Sequence, residues 1–174
     1  VARPGNEGFA GGCHAGAELS DARRLLFLNP DATVDRGTVT ALLACADRYP
    51  RAGLVGGRAL HPDGTTDPRS WWGAPTLWSA FCFATGLSSL LPGSRVFDPE
   101  APDGWDGSPR EVGVVSGGLM LVERRLWDAL DGFDQDFFLY GEDADLSVRA
   151  RRAGWRPRVC PDATWTHRVG GSSA

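Results

Sequence analysis

The sequence contains no lysine: all 18 basic residues are arginine, scattered along the chain. With a net charge of −4 and a pI near 5.3, it lacks the concentrated basic face that nucleic-acid binding requires, so a nucleic-acid partner is disfavoured. The four cysteines, Cys13, Cys45, Cys82 and Cys160, form no CxxC pair, which weakens zinc-site and thioredoxin-like readings. Each sits among small or apolar neighbours, and the expectation is four reduced, buried thiols in a cytoplasmic protein. No apolar run is long enough to cross a bilayer, no signal-peptide pattern is visible, and there is no internal repeat. No GxGxxG follows a strand, which removes a Rossmann oxidoreductase. The chain opens with Val1 and a Gly-rich loop, and is read as a piece of a longer protein.

What is present suits one α/β domain over residues 1–174. The chain is 42% hydrophobic with 7 Trp and 8 Phe, enough for a sizeable core. A loop over 3–12 leads to a short helix near Cys13–Leu19, and Arg24–Leu28 is a compact apolar strand that stops at Asn29-Pro30-Asp31. Asp35 fits an N-cap for a helix whose Val39, Leu42, Leu43 and Ala46 share one face. Gly53–Leu60 is a second strand, followed by a turn at Asp63-Gly64. Residues 68–110 are irregular, with Leu77–Leu91 partly helical. Val112–Val122 is a strand region interrupted by Ser116-Gly117-Gly118. Helices over Arg125–Leu130 and Glu142–Ala153 follow, then short strands at Arg156–Val159 and Ala163–Thr166. Strands alternating with helices indicate an α/β sheet.

Three clusters carry chemistry. Asp31 lies just past the carboxyl end of a buried strand, where α/β sheets bind ligands; it can hold a hard divalent cation, although Asn-Pro-Asp is also plain turn chemistry. Glu142, Asp143 and Asp145 crowd a helix start, where the helix dipole accounts for one or two of them. They follow a Phe-Phe-Leu-Tyr segment expected to be largely buried, and a carboxylate beside apolar walls gains proton affinity and suits a general base. Asp143 is the preferred base, with capping left open for Glu142 and Asp145. His167 closes the last strand, as a ligand or as a structural histidine.

Taken in order, these segments resemble inverting GT-A glycosyltransferases of family 2, in their rhamnosyltransferase-like bacterial branch. The matching stretches are residues 6–12, 26–32, 116–122, 132–134 and 137–146, then Arg149-Ala150, Gly154-Trp155 and His167. The resemblance spans residues 4–172 and is loosest between 68 and 110. It implies a GT-A-type, Rossmann-like mixed sheet flanked by helices, here without its first β-α segment. Asn29-Pro30-Asp31 stands where the family carries its DxD motif, which makes Asp31 the principal carboxylate for Mg²⁺ or Mn²⁺ and leaves Asn29 to contribute an amide oxygen or to contact the donor's ribose. The resemblance also implies that His167 completes the metal site, that Asp143 is the base, and that Glu142 lies on the donor side. Gly117 and Gly118 would bring backbone close to the donor sugar. His14 departs from the pattern, which usually has Asn there.

The activity so implied is metal-dependent, inverting transfer of a sugar from a nucleotide-diphosphate donor of dTDP-rhamnose type to a glycan or lipid-linked acceptor, in cell-wall or polysaccharide synthesis. The alternative is a carbohydrate-binding domain without turnover. Among Trp71, Trp72, Trp78 and Trp105, Trp72 is the candidate for acceptor stacking. Leu77–Leu91 is open to peripheral membrane association at the inner face of the plasma membrane. Its lack of Lys and Arg favours a core or lid helix instead. Arg124 and Arg125 face either phosphate or solvent.

Overall fold

Residues 5–101, 107–137 and 140–167 are described by the computed structural model. The alternating strands and helices build a six-stranded mixed sheet in the order β1-β7-β3-β8-β2, with β5 also on β8. Its strands are β1 (Arg24–Leu28), β2 (Ala32–Val34), β3 (Leu54–Leu60), β5 (Arg110–Glu111), β7 (Leu119–Glu123) and β8 (Arg158–His167). Among the described residues only β3 and β8 run parallel; the other pairings are antiparallel. A two-stranded ribbon joins β4 (Trp71–Trp72) to β6 (Val114–Val115).

All five residues of the inner strand β7 are buried, as expected where helices cover both faces. Met120 and Val122 face one core with Leu25, Phe27, Leu126, Trp127, Phe133 and Leu146. Leu119 and Leu121 alternate to the other face, against Val55, Cys160, Leu42, Cys45 and Ala46. The first face is covered by α1 (Gly8–Glu18), α5 (Arg124–Ala129) and α6 (Glu142–Arg152), the second by α2 (Thr38–Arg48). The four cysteines are free thiols, three of them buried and Cys13 partly so. Burial pushes the Cys13 thiol up to about 12, with the nearby Glu142 carboxylate adding to the effect.

Several local expectations are corrected. α1 begins at Gly8, within the expected loop. The Asp35 side chain caps nothing: Gly37, at φ +92°, is the N-cap of α2, and Asp35 instead accepts from Thr164 Oγ1 at 2.6 Å. On α2, Leu42 and Ala46 are buried while Val39 and Leu43 are exposed. The two short final strands are one, β8, with a register shift opposite Gly57/Arg58. Leu77–Leu91 is no core helix; it forms α3 (Leu77–Ala84) and α4 (Leu87–Leu90), in which only Ser79 and Cys82 are buried. Among the described residues no helix is long and apolar enough to cross a membrane.

Candidate active site

The stop at Asn29-Pro30-Asp31 has a structural cause. Asn29 donates its N–H to Gly118 O at 3.1 Å, and Ala32 donates to Asn29 O at 3.0 Å. This tight turn carries the chain from β1 directly into β2. There Ala32 pairs in register with His167, so Asp31 and His167 emerge side by side at one sheet edge. His167 Nε2 lies 3.0 Å from Asp31 Oδ2, and both side chains are about a quarter exposed, at 28% and 21%. Asp31 Oδ1 is buried with no hydrogen-bond partner among the described residues.

Asp143 sits in the first turn of α6, beyond two consecutive left-handed residues, Tyr140 (φ +69°) and Gly141 (φ +103°). Asp143 Oδ2 accepts the backbone N–H of Gly117 at 2.8 Å, and Oδ1 that of Ala144 at 2.8 Å. Burial raises the proton affinity of this carboxyl, and those N–H groups offset it only in part. The burial does not come from the whole aromatic segment before it. Phe137 is 36% exposed and Tyr140 74%, while Phe138 and Leu139 lie outside the described residues.

Gly117 and Gly118 therefore hold the two halves together, Gly117 on Asp143 and Gly118 on the turn bearing Asp31. The protein itself requires glycine at 118 and leaves little room at 117. A Cβ on Gly118 would lie 2.2 Å from Trp165 Cη2, and one on Gly117 would lie 3.3 Å from Asp143 Cβ. Trp165 was not singled out from sequence. It forms the floor beneath Gly118, with its ring 6.3 Å from that of His167, and its period-two spacing from His167 on β8 was the available signal.

The remaining candidates divide. Glu142 is buried, its Oε2 lacks a partner among the described residues, and burial raises its proton affinity. Asp145 is no cap; it pairs with Arg149 at 2.6 Å. Trp72 is partly exposed on β4, while Trp71 is buried. Trp78 donates to Val96 O at 2.6 Å, and Trp105 lies outside the described residues. Arg124 grips the carbonyls of Ala17, Ser20 and Ala22. Arg125 bonds Pro50 O and lies over Trp155. Both are thus committed to structure. So is His14, whose Nε2 is 2.8 Å from Phe133 O and whose ring packs on Trp127.

A carboxylate with an orphaned oxygen beside an imidazole suits a divalent cation. Among the described residues no third His, Cys, Asp or Glu joins the pair. Two protein ligands with the rest from substrate phosphates is an ordinary arrangement for such ions, so Asp31 and His167 fit the metal that the DxD-like turn implies.

The fold is that of GT-A glycosyltransferases. The chain superposes on the crystal structure of GalNAc-T7 with UDP, GalNAc and Mn²⁺ (TM-score 0.66, 16% identity, 98% of this chain and 32% of that one). It likewise superposes on the mannosyltransferase PcManGT from Pyrobaculum calidifontis in complex with GDP-Man and Mn²⁺ (TM-score 0.63, 17% identity, 99% and 40%). Residues 1–101 match glycosyl transferase family 2 and residues 108–173 match glycosyltransferase like family 2. The N-acetylglucosaminyl-diphospho-decaprenol L-rhamnosyltransferase of Mycobacterium tuberculosis is 34% identical over 143 residues, 82% of this chain and 46% of the relative. The O-antigen biosynthesis protein RfbC of Myxococcus xanthus is 30% identical over 149 residues, 85% and 11%. The chain belongs to glycosyl transferase family 2. It spans about half the length of the rhamnosyltransferase it matches.

Proposed function

We propose that this chain forms the catalytic part of a glycosyltransferase that takes a sugar from a nucleotide-diphosphate donor, of dTDP-rhamnose type, and moves it with inversion to a lipid-linked glycan. The observation that carries the reading is the convergence of Asp31, His167 and Asp143 on the Gly117–Gly118 segment. The rhamnose donor and the lipid-linked acceptor are suggested by the name of the mycobacterial relative. The free thiols suit a cytoplasmic location, at the inner face of the plasma membrane where a lipid-carried acceptor is met.

In this mechanism Asp31 and His167 would hold Mg²⁺ or Mn²⁺, and the bound cation would supply positive charge that stabilises the departing diphosphate. Asn29 contacts the donor from the same turn, and Glu142 lies beside the base on the donor side. Asp143, fixed by the Gly117 N–H, takes the proton of the acceptor hydroxyl. The acceptor oxygen bonds to the anomeric carbon as the carbon–oxygen bond to the diphosphate breaks. Attack and departure on opposite faces invert the configuration. Trp72 offers a partly exposed aromatic face for the acceptor.

The test is transfer by the whole protein with Asp143→Asn. The variant should lose about a hundredfold to ten-thousandfold in turnover, the usual share of a general base, while binding nucleotide diphosphate normally. Unchanged turnover would remove Asp143 from this role, and a product of retained configuration would remove the single displacement.

A further inference from the structure

The 25 residues from Ser70 to Ser94 include no charged side chain, in a chain where 23% of residues are charged. They build β4, α3 and α4, and α3 and α4 pack on each other. Leu77, Phe83 and Leu90 are 93%, 80% and 75% exposed, and Trp78, Phe81 and Leu91 about half exposed. A water-facing helix ordinarily carries charged and polar residues on its outer side. The hairpin is well formed: Thr76 and Ser79 make a reciprocal capping box, and Trp78 stacks on Phe81 at 5.5 Å. Its apolar side chains are held outward by ordered structure.

Position gives the hairpin a purpose. β4 leads into α3 and pairs with β6, and β6 runs into Gly117, whose N–H is bonded to Asp143. The hairpin thus leaves the fold beside the strand that ends at the candidate base. Resting on the lipid-linked acceptor of the preceding reading, we propose that the α3–α4 hairpin docks on a lipid bilayer. It inserts Leu77, Phe81, Phe83 and Leu90 at the headgroup–acyl boundary and so brings Asp143 to an acceptor carried by lipid. Protein–protein interfaces surround an apolar centre with a polar rim. Here the exposed large side chains are Leu, Trp and Phe, the residue types that an interfacial helix buries at the headgroup–acyl boundary. The segment itself carries no cation to attract anionic lipid, so insertion into neutral bilayers is expected.

Flotation of the protein with phosphatidylcholine vesicles tests this. The wild type should float equally at about 0.1 M and about 0.5 M salt, where screening lengths differ widely. Leu77→Ser/Phe83→Ser should lower the vesicle-bound fraction about tenfold or more, since two large apolar side chains no longer insert. The same double variant should keep its Mn²⁺-dependent nucleotide binding, a readout that follows the transferase reading and not the surface. The proposal is overturned if the wild type stays with the unbound fraction, if it floats only with anionic lipid at low salt, or if the double variant floats as well as the wild type. It is also overturned if sedimentation finds a dimer that the double variant abolishes while vesicles bind neither form. Vesicle binding lost in the double variant, in a protein that binds no nucleotide, would uphold the surface and sink the transferase reading.

Discussion

Gly117 donates its backbone N–H to Asp143 Oδ2 at 2.8 Å, so the strand that carries the segment between the two halves of the site also sets the orientation of the base. A methyl group at Gly117 would meet Asp143 Cβ at 3.3 Å and Oδ2 at 3.4 Å, tight enough to move the carboxylate slightly. Gly117→Ala should therefore lower turnover about tenfold to a hundredfold, as small misplacements of a reacting group do, with little change in nucleotide affinity. Equal losses in turnover and nucleotide binding would contradict this positioning role.

Burial raises the proton affinity of Asp143, yet a base must be ionised to act. The acid limb of kcat/KM should lie above the ordinary carboxylate range, and a pH–rate profile checks it. The effect on stability has a defined sign. With the folded-state value above the unfolded one, the native state binds more protons. The contribution is fully present below the unfolded value and lost as pH rises through the folded one. Asp143→Asn should then be at least as stable as the wild type at pH 7, with any advantage shrinking in acid. Urea titrations in which the wild type gains on the variant as pH rises would contradict the shift.

Trp165 fills the space a side chain at Gly118 would need, with a Cβ only 2.2 Å from the ring. Gly118→Ala must push the indole aside, and overpacking of this kind costs about 1–3 kcal/mol. Chemical denaturation measures it; an unchanged midpoint would show that the ring moves freely.

Arg149 donates to Leu130 O at 2.7 Å and Gly132 O at 2.8 Å while pairing with Asp145. It ties α6 to the turn after α5. Arg149→Met keeps most of the stem and removes these bonds, for a loss of about 1–3 kcal/mol. A loss below about 0.5 kcal/mol, within the range of ordinary surface changes, would mean that the tie is not needed.

The site was more legible than its surroundings. Asp31, Asp143 and His167 stand out as a set through the family resemblance, since each alone has an ordinary structural account, and the structure brings Asp31 to His167 and Asp143 to Gly117. Their setting did not stand out. β2 is three residues whose place depends on β8, a partner far along the chain. Asp35 has the chemistry of a cap, but Thr164 takes its carboxylate, and local propensity cannot foresee such a tertiary bond. The exposure of Phe137 and Tyr140 follows from the left-handed turn at Tyr140 and Gly141. α3 and α4 read as a core or lid helix because apolar composition alone cannot say whether a face is covered.

The most direct measurement is calorimetric titration of dTDP and UDP into the protein with Mn²⁺ or with chelator. At least one nucleotide should bind about tenfold or more tightly with Mn²⁺, since a cation held by Asp31 and His167 would offset the diphosphate charge. Asp31→Ala and His167→Ala should each abolish that gain, and Asp143→Asn should keep it. Affinity that is indifferent to Mn²⁺, or that survives both Asp31→Ala and His167→Ala unchanged, would contradict the account.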